Sequence, residues 1–218
     1  MERAFVIDKY NTYYDWSLFL TAKQIALAEP KTNYVELDGA SGSLDMTEAL
    51  SGEVTYKDRT ISATFWTSEG DLASRGRLLR NIYTALHGKK VKIIEPDDTD
   101  HYFYGRVKVV PSVNNRAYLE FEIEAVCDPW RYANVESVRT ATVKSQAVTN
   151  LVLRNNGSKT LCPEIDVVGT VKVGYNGVTT SLTTGTYKIS DIKLKSGVNV
   201  IGVSGNGTVS FTYREAEL

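Results

Sequence analysis

The run Leu119-Glu120-Phe121-Glu122-Ile123-Glu124-Ala125 alternates apolar and acidic residues without a break. A period of two puts successive side chains on opposite faces of a strand, so this segment is compatible with a half-buried β-strand and not with a helix. Ile61, Ala63 and Phe65 repeat the pattern against Ser62, Thr64 and Trp66. Val91 to Glu95 and Tyr102 to Val110 flank a Pro-Asp-Asp-Thr-Asp turn and read as a hairpin. Thirteen tyrosines add to the strand preference. Only one segment carries a helical period: Leu72, Leu79, Ile82, Tyr83 and Leu86 share a face over Asp71 to His87, Ser68 and Asp71 resemble a capping box, and Gly88 stands where a helix ends.

After Pro129 the texture changes to short Val/Thr/Ile runs separated by Gly and Asn. Tyr175-Asn176-Gly177-Val178 and Ser204-Gly205-Asn206-Gly207 read as hairpin turns, with Gly202, Gly205 and Gly207 as turn glycines. The expected organisation is a domain over residues 1–130, a linker over 131–149, and an all-β domain of short strands over 150–218.

Composition enters as a filter on function. The 218 residues carry a formal net charge of −1, so no global field draws the chain to nucleic acid or an anionic membrane. No apolar run reaches the roughly 18 residues of a membrane span. Asp8 and Lys9 interrupt the N-terminus before any signal-peptide core forms, which points to synthesis and folding in the cytoplasm. Cys127 and Cys162 are too few for a disulfide framework and read as two buried thiols.

Catalytic signals are thin. His87 falls at the helix end and His101 follows an acidic turn; neither has a nucleophile motif beside it. Glu95 to Asp100 is acid-rich but lacks the glycine and distal glutamate of a calcium loop, and no His/Cys cluster has zinc spacing. Arg75, Arg77, Arg80, Lys89, Lys90 and Lys92 concentrate positive charge, read as a solvated helix face with ion pairs inside the subunit. Tyr175 and Tyr187 could stack on sugar if exposed, but two rings are too few to prefer that over ordinary β-sheet tyrosines. No cofactor is expected.

Several separated segments, in order, resemble the distal tail proteins (Dit) of long-tailed phages. Asp15-Trp16-Ser17-Leu18-Phe19-Leu20 resembles an early aromatic-small-Leu strand of that family. The stretch from Pro30 to Leu50, followed by Tyr56-Lys57-Asp58-Arg59, is similar to its central signature. Cys127-Asp128-Pro129-Trp130 resembles the step that closes its first domain. Asn155-Asn156-Gly157, Cys162-Pro163-Glu164-Ile165, Leu194 to Ile201 and Val209 to Glu215 are similar to segments of its second.

The resemblance implies a mainly β protein, with an N-terminal β-sandwich bearing one helix and an extended hairpin, and a C-terminal galectin-like β-sandwich. It implies a structural, non-enzymatic adaptor in a virion tail tip: a homo-hexameric ring between the major tail-tube protein and the tail-associated lysin, fibre or receptor-binding baseplate proteins. Neither membrane nor specific nucleic-acid binding belongs to that role. Glycine-punctuated extended chain can lay backbone and side chains on a neighbour, which nominates Tyr34, Leu37, Asp38, Gly39, Leu44, Met46, Tyr56 and Arg59 as subunit-interface residues. The alternatives are a carbohydrate-binding β-sandwich for cell-wall attachment and a hydrolytic tail accessory.

Overall fold

Leu119, Phe121, Ile123 and Ala125 are buried, and Glu120, Glu122 and Glu124 occupy the opposite, partly exposed face of one strand. The computed structural model describes residues 3–39 and 41–218. Met1 and Glu2, in the segment weighed as a signal peptide, and Ala40, inside the family-like stretch, lie outside the described residues. Among the described residues the chain is mainly β with one helix, and it divides into the units Met1–Arg131 and Tyr132–Leu218.

The first unit contains β1 (Val6–Ile7), β2 (Tyr10–Asn11), β3 (Phe19–Ile25), β4 (Tyr34–Glu36), β5 (Ser43–Asp45), β6 (Arg59–Thr67), α1 (Leu72–Leu86), β7 (Lys90–Glu95), β8 (Asp98–Asn114) and β9 (Leu119–Cys127). Its sheet runs in the order β2-β1-β7-β8-β9-β6-β3, with antiparallel neighbours. Phe65 and Phe121 sit opposite each other in the β6–β9 register and pack with Phe5, Leu18, Ile82 and Leu86 into one core. The hairpin of β7 and β8 is tighter than the sequence suggests. Glu95 pairs with Asp98, so only Pro96 and Asp97 make the turn.

The helix lies within one residue of its expected ends. Asp71 itself is the N-cap, its carboxylate accepting from the Ser74 N–H at 2.8 Å, in place of a box built on Ser68. The buried stripe also differs: Leu72 and Tyr83 are exposed, and Arg75 is buried. Arg75 is tolerated there because its guanidinium donates to four carbonyls, those of Ser68, Gly70, Asn115 and Arg116, at 2.6–3.2 Å. It thereby ties the start of α1 to the β8–β9 loop.

At the boundary β10 spans Arg131–Ala133. The second unit holds β11 (Ser137–Asn155), β12 (Glu164–Tyr175), β13 (Val178–Leu182), β14 (Gly185–Lys188), β15 (Gly197–Tyr213) and β16 (Ala216–Glu217). Its sheet order is β11-β15-β12-β13, with β14 also on β12. Two readings of local sequence are corrected here. Residues 137–149, most of the expected 131–149 linker, belong to β11, which pairs with β15 from Ser137 opposite Tyr213 onward and shifts register between Ser145 and Thr149. Three strands, β11, β12 and β15, are also long where short ones were expected.

The glycines explain the second error. Asn176-Gly177 does make the β12–β13 turn, with φ values of 48° and 82°. Gly202, Gly205 and Gly207, however, lie inside β15. A Cβ on Gly207 would stand 2.3 Å from the Val168 carbonyl oxygen, and one on Gly205 would stand 2.5 Å from that of Thr170. Gly205 and Gly207 permit a close approach of β15 to β12, its antiparallel neighbour in the sheet, and do not reverse the chain. Buried Asn155 and Asn199 organise the loops of this unit: Asn155 donates to the Lys159 and Leu194 carbonyls, and Asn199 accepts from the Lys195 N–H.

A candidate assembly arm

Between Ile25 and Arg59 the chain leaves the first sheet and returns to it as a two-stranded ribbon. The ribbon continues the β3–β6 pairing: the Ala26 N–H donates to the Thr60 carbonyl, Lys57 to Glu29, and Lys31 to Thr55, at 2.8–2.9 Å. Pro30 and Tyr56 bridge the two legs. Farther out, β4 and β5 pair Tyr34 with Asp45, Val35 with Leu44 and Glu36 with Ser43. Gly39 and Gly42, at φ of 81° and 82°, allow the tip to turn, and Gly52 at 72° allows the return leg to bend. Asp45 fixes the corner. Its carboxylate accepts from the Thr47 N–H at 2.9 Å, and the Thr47 hydroxyl, this N–H and the Tyr34 hydroxyl favour its charged form and hold it below the usual aspartate range.

The ribbon carries apolar residues without a core beneath them. Tyr34, Val35, Leu37, Leu44 and Met46 are exposed, Leu27 is 85 % exposed, and Leu50 is fully so. A two-stranded ribbon is marginal in water by itself, and burying one such side chain contributes about 1.5–3 kcal/mol. Within the single chain these side chains thus form an exposed apolar surface with no core beneath it.

The nominated residues therefore separate into three groups. Tyr34, Leu37, Asp38, Gly39, Leu44 and Met46 all lie on the outer ribbon and are exposed. Tyr56 is half-buried at the arm's root, with its ring edge-on to Trp130 at 5.5 Å. Arg59 is buried where the ribbon re-enters the sheet; it donates to the Pro129 carbonyl and lies 5.5 Å from the Phe103 ring centre. Burial, then the charge of Arg131, pushes its guanidinium below its ordinary value. Arg59 thus anchors the arm within its own subunit. Leu27, Val35 and Leu50 were missed. Each is an aliphatic residue outside any sustained period, so its exposure left no signal in the sequence.

Other candidate chemistry resolves into structural roles. His87 stacks on Tyr83 at 4.1 Å and its Nδ1 accepts from the Val109 N–H at 3.1 Å. His101 Nδ1 faces the Asp98 carboxylate at 2.9 Å. Asp97 bonds Arg3 and Lys23, and Lys23 also bridges to Glu95. Among the described residues no group of three or more His, Cys, Asp or Glu is placed to hold a metal. No helix among them is long and apolar enough to cross a membrane. Cys127 is buried as expected, whereas Cys162 is only half-buried, its thiol 3.2 Å from the Ile189 carbonyl.

The two tyrosines weighed for sugar stacking are tyrosines of the sheet, and neither is exposed as that role requires. Tyr175 is 8 % exposed, with its hydroxyl donating to the Lys193 carbonyl and the Asn199 amide oxygen at 2.7 and 2.9 Å. Tyr187 is packed against the second core, its hydroxyl on the Thr183 carbonyl.

No protein-family model matches the chain, and no curated protein sequence does. Among solved structures it is similar to SPP1 Dit (gp 19.1), described as a paradigm of the hub adsorption apparatus in phages infecting Gram-positive hosts. The TM-score is 0.70 at 14 % identity, over 98 % of this chain and 99 % of that one. The likeness is one of fold, and it is the fold that the collinear segments resemble.

Proposed function

We propose that this chain is a structural adaptor of a long-tailed phage or prophage tail tip, acting by assembly and not by catalysis. Subunits close head to tail into a ring, six in number, that joins the tail tube to the lysin, fibre or baseplate proteins beyond it. The observation that carries this reading is the arm: a ribbon with seven large apolar side chains exposed among the described residues, on a body that has the fold of a tail hub protein. Heterologous contacts of this kind form closed rings when their rotation closes. The eight nominated residues then divide in role. Tyr34, Leu37, Asp38, Gly39, Leu44 and Met46 touch the neighbour, while Tyr56 and Arg59 hold the root from which the arm reaches.

Native mass spectrometry with negative-stain imaging of the purified protein tests the proposal. The expected result is an assembly of six 24.2 kDa chains. A monomer at all concentrations, both alone and with neighbouring tail proteins added, would overturn it.

A further inference from the structure

The arm and the helix are opposite in charge. Residues 27–58 hold seven carboxylates against Lys31 and Lys57. From residue 72 to 94 there are six cations and no carboxylate. Within the subunit Arg75 is taken up by four carbonyls, Lys90 pairs with Asp128 at 2.8 Å, and Lys92 lies over the Tyr102 ring at 4.5 Å. Arg77, Arg80 and Lys89 remain exposed and form no ion pair among the described residues; Arg77 bonds only the Ser74 hydroxyl. Glu36, Asp38 and Glu48 on the arm are likewise exposed and make no ion pair among the described residues.

Apolar groups match the charges. On α1, Ala73, Arg77, Arg80 and Thr84 follow the i, i+4, i+7, i+11 spacing of one stripe, bordered by exposed Leu72 and Tyr83. On the arm, exposed Leu37 and Leu44 stand next to Glu36, Asp38 and Asp45. Both surfaces are open in the single chain, so neither covers the other within it. The outward leg, at about 3.3 Å per residue over about 13 residues, reaches on the order of 40 Å from the sheet, enough to cross to a second subunit.

We infer that the acidic, apolar arm of one subunit docks on the basic outer face of α1 of a second copy. The inference rests on the ring reading above and specifies the surface that receives the arm. Opposite fields orient such a contact and reject the reverse pairing of arm on arm or helix on helix.

Two experiments test it on the full chain. In a Cys162→Ser background, subunits carrying L37C are mixed with subunits carrying A73C and treated with a short bismaleimide. A covalent dimer is expected in the mixture and in neither component alone. Separately, E36K/D38K and R77E/R80E are each expected to raise the concentration for half-assembly by about tenfold, and their combination in one chain to restore it. A wild-type ring with no mixed crosslink and no response to either reversal overturns the docking and leaves the ring standing. Absence of a wild-type ring with all partners present removes the reading beneath both.

Discussion

In the body of the first unit, β6 and β9 place Ile61, Ala63, Phe65, Leu119, Phe121 and Ile123 in a core where each is at most 4 % exposed. In the arm, the same kind of antiparallel pairing leaves Val35 and Leu44, directly opposite each other, in water. Backbone ladders are equivalent in the two regions; what differs is whether a second layer covers the apolar face. The body's core is completed by Phe5, Leu18 and the α1 residues Ile82 and Leu86, whereas the arm's apolar groups have no such cover within the single chain. On the proposed assembly, folding and assembly are separable, and substitutions in the two regions should have different readouts.

The largest effect belongs to the body. Phe121→Ala removes a ring with no exposed surface that packs on Phe65 at 6.1 Å, and should cost about 3–5 kcal/mol of unfolding free energy. Trp16, Trp66 and Trp130 all lie in the first unit, so tryptophan fluorescence during denaturant unfolding reads that unit alone. A shift below 1 kcal/mol would break the picture of a single packed core.

Gly207→Ala comes next. Its methyl would meet the Val168 carbonyl, backbone that cannot rotate away, and overpacking of this kind costs about 1–3 kcal/mol. The loss should appear in far-ultraviolet dichroism as earlier melting of the second unit, with the tryptophan transition unmoved. A shared shift in both signals would show that the units do not unfold separately.

The arm should respond in the opposite sense. Leu37→Asp with Leu44→Asp is expected to change the unfolding free energy by no more than about 0.5 kcal/mol, as for other exposed sites, while abolishing the ring in native mass spectra. Destabilisation above 1 kcal/mol would mean that these residues serve their own fold.

How much of this was legible in the sequence follows from the same contrast. The alternation of Leu119 to Ala125 and the 3.6-residue period of α1 survive folding because a single face of each element meets the core. Glycine does not carry comparable information. Gly177 and Gly205 look alike in sequence and both have a positive φ, yet one reverses the chain in a turn and the other lies inside β15, where a Cβ would meet the backbone of its ladder partner β12. Burial of Arg59 and Arg75 was hidden because their partners are carbonyls and a ring, brought near by tertiary structure, and not carboxylates at readable spacing. Tyr175 was hidden by the choice of strand face, which depends on where Asn199 and Lys193 lie. The arm's location was readable from its glycines and acids; the exposure of Leu27 and Leu50 was not, since an isolated leucine gives no period.

The smallest effect concerns the arm's root. Lys23, three residues before the chain leaves β3 at Ala26, bonds Asp97 in the β7–β8 turn at 2.8 Å, and Arg3 bonds the same carboxylate. Hydrogen bonds from Arg3 and then Lys23 hold Asp97 down at about 2. A carboxylate depressed in this way contributes its stability in full above its ordinary value near 3.8, and loses it as pH falls through about 2. At neutral pH, Lys23→Met should therefore leave the ring intact, because Arg3 still pairs with Asp97 and solvent screens the exposed pair. In a carboxyl titration followed by NMR, the variant should move the Asp97 midpoint up toward the ordinary range and bring acid unfolding of the first unit to higher pH. If the wild-type midpoint already lies near 3.8, the clamp does not hold in solution. Loss of the ring in Lys23→Met at neutral pH would instead show that the clamp sets the arm's direction, and the division between a self-sufficient body and a dependent arm would have to be redrawn at β3.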